Sequence, residues 1–427
     1  MLGLSAEDDK GEGMENKNIT VDGIFENPDS RYRGAPFWAW NGKLQKEQLK
    51  RQIGYFWEMG MGGFHMHSRT GLDTPYMGEA FLDMVDFCVR EAKERDMYAY
   101  LYDEDRWPSG AAGGLVTREQ KYRSRYLVVT PVSNEERCQG GIWYDASART
   151  YVNGKGKLLA AYRLIWEKGY LTDYERLDIT KQLPGDCWYV YLEVAGASPW
   201  YNNQAYVDTL NPEAIKEFIR QTHEKYYEKL GEDFGSRAPS IFTDEPQFCR
   251  KTLPGKAGEK QDIILPWTEG LTAAYREAYG EDFFDRLPEV IWELPEGGGN
   301  TSRYRYHELV AEQFAKAFAD TVGQWCEVHG IALTGHMMEE PTLASQTAAL
   351  GEAMRSYRSF TLPGIDMLAD NREYTTAKQA QSATHQYGRK GVLSELYGVT
   401  NWDFDFRRYK LQGDWQAGLG VTLRGPH

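Results

Sequence analysis

Short apolar strands alternate with amphipathic helices along this chain, in blocks of about 30 residues, and that rhythm admits few folds. An aromatic run at 37–40 (FWAW) stops at Asn41-Gly42. Leu49, Ile53, Phe56 and Trp57 then fall at i, i+4, i+7 and i+8, one face of a helix. A second strand is expected at 63–67, a helix on Phe81, Val85, Cys88, Val89 and Ala92, and a third strand at 98–102. Strands joined through helices run parallel. The rhythm returns at Asn211-Pro212, a good helix start, with the stripe Ile215, Phe218, Ile219, Thr222 and Tyr226 behind it. A long helix on Val310, Phe314, Phe318, Val322 and Trp325 follows later. Strand four is expected at 240–243, five at 331–334, six at 365–368, seven at 392–395 and eight at 420–423. Eight such strands specify an α/β fold, a (β/α)8 barrel of the TIM type.

Two stretches interrupt the rhythm. Residues 124–200 hold aromatic and β-branched runs (YLVVTPV, GIWYDA, LLAAYRLIW, CWYVYLEVA) between turn residues, with no helical stripe. They read as an antiparallel β insertion after strand three. Residues 250–303, with Gly297-Gly298-Gly299, read as an irregular insertion after strand four. The final helix of the barrel is missing from the expected pattern. A barrel without it exposes an apolar strip, which further C-terminal domains of a longer chain could cover. The expected division is a disordered leader at 1–23, a first barrel part at 24–123, the β-rich insertion at 124–200 and a second barrel part at 201–427.

Composition removes several classes. Hydrophobic residues make up 41% and charged residues 26%, which excludes a disordered or fibrous chain. No apolar run approaches the ~18 residues that span a bilayer, so no membrane partner is expected. The leader (AEDDKGEGMENKN) lacks the apolar centre of a secretory signal, and a cytoplasmic location is expected. A net charge of −14 repels phosphate backbones and argues against nucleic acid. Five cysteines, an odd number without a CxxC pair, argue against a disulfide framework and a zinc-thiolate site. Aromatics reach 14%; their flat faces suit sugar rings and ordinary cores alike.

Barrel chemistry sits at the C-terminal ends of the strands. There the sequence places Trp40 and Asn41, His65 and His67, Asp103 to Asp105, Asp244 and Glu245, His336, Asp366 and Glu395. Carboxylates dominate, as cleavage of a glycosidic bond requires: one acid protonates the leaving oxygen, and a second carboxylate activates water or attacks the sugar. Glu245 and Glu395, on strands four and seven, are the expected pair, facing each other across the mouth. A solvated loop acid or an ion-pair partner is the plainer reading of either one. His65 and His67, at i and i+2, point the same way and could bind a metal with His336 and Asp366, as in a metal-dependent barrel hydrolase. Against that, the pair lies on the second strand, and no strand-end lysine could bridge two ions. The simpler expectation is that His67 binds substrate and His65 packs. Asp103 and Glu104, beside Trp107, could hold sugar hydroxyls or a hard cation such as Ca²⁺, with the indole covering the ring; a solvated charge run is the alternative. No organic cofactor is expected.

The stretches PFWAWNG, GGFHMHSRTGLDTPYM, YLYDEDRWPSGAAGG, FTDEP, LTGHMMEE, LPGIDML, LSELYG and GDWQAGLGVTLRGPH occur in that order. Together they resemble the catalytic barrel of the α-L-rhamnosidases of glycoside hydrolase family 106, over residues 36–427 apart from the two insertions. The resemblance implies an inverting, exo-acting hydrolase that releases terminal rhamnose from plant or microbial glycans or glycosides, with Ca²⁺ of importance. It also implies Glu245 as general acid and Glu395 as general base, with Glu339 or Glu340 able to replace one of them. His67, Arg69, Asp103, Glu104, Trp107 and His336 would line the sugar subsite; Trp40, Asn41, Asp244, Glu339, Asp366 and Trp402 are further expected substrate contacts. Members of that family are usually longer, with β-sandwich domains after the barrel, and are often secreted. Another sugar on the same scaffold, or a catalytically silent carbohydrate-binding barrel, remain as alternatives.

Overall fold

A computed structural model describes residues 21–137, 143–145, 150–152, 155–252, 258–295 and 300–427. The expected leader lies outside these residues up to position 20, as do Gly297 to Gly299. Eight parallel strands run in sequence order around one sheet: Phe37–Trp40, Gly63–Ser68, Tyr98–Tyr102, Ser240–Asp244, Ala332–His336, Leu362–Met367, Leu393–Leu396 and Leu423–Pro426. They are strands one to eight below. The Ala35 N–H donates to the Arg424 carbonyl at 2.9 Å, which brings strand eight back against the start of strand one and nearly closes the ring. The fold is the expected (β/α)8 barrel.

Side chains two residues apart on a strand face the same way, and this period builds the interior in layers. Phe37, Tyr102, Phe242 and Leu393 fill one buried layer inside the ring, with Leu362 and Leu423 packed against it. One step of two residues upward from Phe242, Thr334, Gly364 and Leu393 lie Asp244, His336, Asp366 and Glu395. The register pairs Asp244 with His336 and Asp366 with Glu395. Gly335 makes this spacing possible: its φ is +127°, and a Cβ there would stand 1.9 Å from the Thr243 carbonyl oxygen. A larger core lies outside the ring, where Ile53, Phe81, Val85, Ile215, Phe218, Val310 and Phe318 of the helices cover the strands.

Two expectations need correction. Strand eight is Leu423–Pro426, not 420–423. The β-branched Val421 and Thr422 drew the reading upstream, but the partner strand sets the register, with Leu393 opposite Leu423. The second insertion is also less irregular than its glycines suggest. Its strand Ile263–Trp267 pairs antiparallel with Arg125–Thr130 and so joins the sheet of the first insertion, beside Trp188–Val194, Lys157–Glu167 and Tyr170–Arg176. No described helix is long and apolar enough to cross a membrane.

Candidate active site

A cavity of about 580 Å³ opens at the C-terminal ends of strands four to eight. Arg69, Trp107, Asp244, Glu245, Glu339, Asp366 and Glu395 all line it, so the two expected catalytic glutamates share one cavity. His336 sits beneath, 1% exposed, and organises the acids. Its Nε2 lies 3.0 Å from Asp244 Oδ1, and its Nδ1 lies 3.8 Å from Glu395 Oε2. Tyr102 donates its hydroxyl to Asp244 Oδ2 at 2.5 Å. Ligating atoms of Asp244, His336 and Glu395 lie within 4.8 Å of one another, and so do those of Glu245, His336 and Asp366. Both glutamates therefore lie close to one imidazole, each in its own grouping.

Backbone geometry aims Glu245. In a regular strand it would alternate away from Asp244, to the opposite face. Its φ of +45° turns the chain instead, its N–H donates to the His336 carbonyl at 3.2 Å, and the side chain reaches the cavity. A left-handed φ at a non-glycine residue is uncommon and costs of order 1 kcal/mol or more.

Burial and mutual repulsion spread the acidities. Asp244 is held below the usual carboxylate range: burial opposes this, but His336, His67 and Tyr102 outweigh it. Burial also opposes protonation of His336, yet the hydrogen bond and charge of Asp244, with Asp366 and Glu395, raise its pKa well above the usual imidazole range. Burial pushes Glu245 up to about 8, with the negative charge of Asp244 adding to it. Burial raises Asp366 to about 6. Glu395 is raised well above its ordinary value by burial and then by Asp366 and Asp244. Asp366 Oδ1 and Glu395 Oε2 are buried without a hydrogen-bond partner among the described residues. A protonated acid, ionised acids and open space for a sugar thus coexist in one cavity.

The remaining sequence-derived residues divide. His67 is buried against the Tyr102 ring, at 4.3 Å between centroids, with neither ring nitrogen hydrogen-bonded among the described residues. His65 Nδ1 lies 3.0 Å from the Ala35 carbonyl oxygen, and its ring stacks between Phe37 and Tyr100. Neither grouping of metal-ligand type at the cavity contains His65 or His67. Trp40 is buried against Trp38 and Phe81, while Asn41 and Trp402 are exposed, and none of the three lines the cavity. Asp103 is fully buried and accepts from the Ser109 hydroxyl at 2.6 Å. Glu104 accepts from five backbone N–H groups, those of Asp105, Gly110, Ala111, Ala112 and Gly113. A carboxylate so occupied does not fit a Ca²⁺ shell, and the groupings around His336 carry an imidazole where Ca²⁺ takes oxygen. Glu339 pairs with Arg250 at 2.5 Å. Glu340 is buried, bonded to Tyr357 and to the Asp366 N–H.

Four contributors escaped the sequence. Tyr102 read as an ordinary strand aromatic. His427 lines the cavity with Nε2 3.6 Å from Glu395 Oε1; it directly follows strand eight, and the strand-end rule would have found it had that strand been placed correctly. Val399 lines the rim from a loop that carries no sequence signal, and Leu368 lines it directly after strand six, where an apolar residue gives no hint of a site.

The fold and the site define an α/β barrel with an acidic cavity at the strand ends. No protein-family model matches the chain, and no curated protein matches it in sequence. Among solved structures, a rhamnosidase from Novosphingobium sp. PP1Y is similar in fold, with a TM-score of 0.63 over 96% of this chain at 14% identity. This chain spans about half of that protein's length, 56%.

Proposed function

We propose that this chain is a glycoside hydrolase in which Glu245 is the general acid and Glu395 the general base. The observation that carries the reading is the shared cavity: Glu245, protonated at neutral pH because burial raises it to about 8, faces the same space as Glu395 and Asp366. Glu245 gives its proton to the glycosidic oxygen as the bond to the anomeric carbon breaks. A water on the other side of the sugar loses a proton to the base and adds to that carbon. The proton later returns to Glu245 from solvent. His336 and Asp244 act alike on both glutamates, the imidazole lowering and the carboxylate raising their pKa.

The proposed sugar is a terminal α-linked L-rhamnose, cleaved with inversion. The ordered motifs support this, as does the fold shared with a rhamnosidase. No step is routed through a metal, because Glu104, saturated by backbone N–H donors, does not fit the implied Ca²⁺. A second reading exchanges only the base. Asp366 lines the cavity with an unpartnered oxygen, and its pKa of about 6 suits a base working near neutrality better than that of Glu395.

The test is hydrolysis of an aryl α-L-rhamnoside, with the first-formed anomer followed by NMR. The expected product is the β-anomer. No turnover of this or any aryl glycoside by the full chain contradicts the reading. Retention of configuration contradicts the base role and makes that carboxylate a nucleophile.

A further inference from the structure

A second cavity, of about 340 Å³, shares no lining residue with the catalytic one. Residues 337–341 line the catalytic cavity, whereas Ala344, Thr347 and Ala348 of the helix Leu343–Ala349 line the second. The opposite walls come from the second insertion: Ile263, Leu265, Ile291 and Trp292. Into this apolar space opens Lys251, 6% exposed. Its backbone N–H donates to the Ala348 carbonyl, which fixes the stem.

Among the described residues the amine has no counter-ion. It donates to His307 Nδ1 at 2.9 Å and lies over the rings of Phe248 and Tyr306, 4.9 and 5.6 Å from their centroids. No ion pair among the described residues includes Lys251. Burial alone pushes its pKa down to about 7. His307 cannot supply charge: burial, then the neighbouring Lys251 and Arg303, drive it down to about 3, so it is neutral. Arg303 is already occupied, by Glu293 and by the carbonyls of Val290 and Ile291. Among the described residues, Lys251 is thus a cation of the lining without an ion pair, in a desolvated setting where its attraction for an anion is strong.

We propose that this cavity is a second ligand site, for a small monocarboxylate with an apolar body. The carboxylate pairs with the Lys251 amine, and the body packs on Ile263, Leu265 and Trp292. A sugar would leave its hydroxyls facing apolar walls, and a phosphate dianion would meet a single free cation among the described lining residues.

Calorimetry on the full chain tests this with cinnamate and its neutral isostere cinnamide. Cinnamate is expected to bind at least about tenfold more tightly. Above pH 8 its binding should also take up close to one proton, seen as a dependence of the heat on buffer ionisation enthalpy, because the bound anion draws the amine back to its charged form. Lys251→Met keeps the stem and removes a buried ionisable group; it is expected to fold with an unchanged or higher Tm and to bind the two compounds alike. Absence of saturable cinnamate binding, equal affinity of the parent for cinnamide, or an unchanged preference in Lys251→Met would each overturn the proposal. The calorimetric comparison on the parent decides the matter even if the variant fails to fold.

Discussion

Two sets of carboxylates stand at neighbouring strand ends; burial raises both, Glu104 and Glu245 alike to about 8, but their partners differ. Glu104, after strand three, is enclosed by five backbone N–H donors supplied by the turn that follows it. Glu245, just after strand four, and Asp366 and Glu395, near the ends of strands six and seven, face open space, and two of them keep a buried oxygen with no partner among the described residues. Burial raises the pKa of both sets, but around Glu104 the N–H donors pull the other way, whereas around Glu245 and Glu395 neighbouring negative charges push further up. One carboxylate holds a loop together; the others are held ready for protons. The lesson is that residue type and strand-end position nominate a site, and hydrogen-bond saturation decides which acids do chemistry.

Replacement by the amide separates the two sets. Glu245→Gln and Glu395→Gln should each lower the rate on a phenyl glycoside on the order of 10² to 10⁴ with the fold intact, as read by steady-state kinetics and circular dichroism. If Asp366→Asn shows the large loss and Glu395→Gln does not, the base is Asp366. Glu104→Gln should instead cost stability. Its amide N–H₂ would face donors, leaving about two N–H groups unsatisfied at about 1–3 kcal/mol each, a loss visible in denaturant unfolding.

The pH dependence carries the comparison further. Glu245 has its pKa raised from 4.5 to about 8, so the native state holds a proton that the unfolded chain releases. Its contribution to stability is complete below about 4.5 and is lost as pH rises through about 8. Glu245→Gln should therefore gain Tm relative to the parent across that window while losing activity. The parent's kcat/KM should fall above a pKa near 8 as the general acid ionises, and this alkaline limb should vanish in Glu245→Gln. The smallest effects belong to residues the sequence proposed but the fold leaves away from the cavity: Asn41→Ala and Trp402→Ala should change stability by less than about 0.5 kcal/mol and the rate by less than about twofold.

Much of this was legible in advance. The alternation of strand and helical periods carried the barrel, because each period is a local consequence of backbone geometry. Strand ends carried Asp244, Glu245, His336, Asp366 and Glu395, because barrel topology brings those positions to one rim. The fate of Glu104 was hidden, since its five donors come from turn geometry that strand and helix periods do not encode. His427 was missed for want of register, which the partner strand sets. The Lys251 cavity forms where the second insertion meets the helix Leu343–Ala349, elements about 80 residues apart in sequence, a contact that no local pattern announces.

The central claim is that Glu245 delivers the proton to the leaving group. The most direct measurement is the rate of Glu245→Gln on two aryl α-L-rhamnosides, one with phenol and one with 2,4-dinitrophenol as leaving group. The phenyl substrate needs the acid, and its rate should drop on the order of 10² to 10⁴; dinitrophenolate leaves without a proton, and that rate should drop less than about tenfold. Equal losses on both substrates, or no loss on the phenyl glycoside, would contradict the assignment.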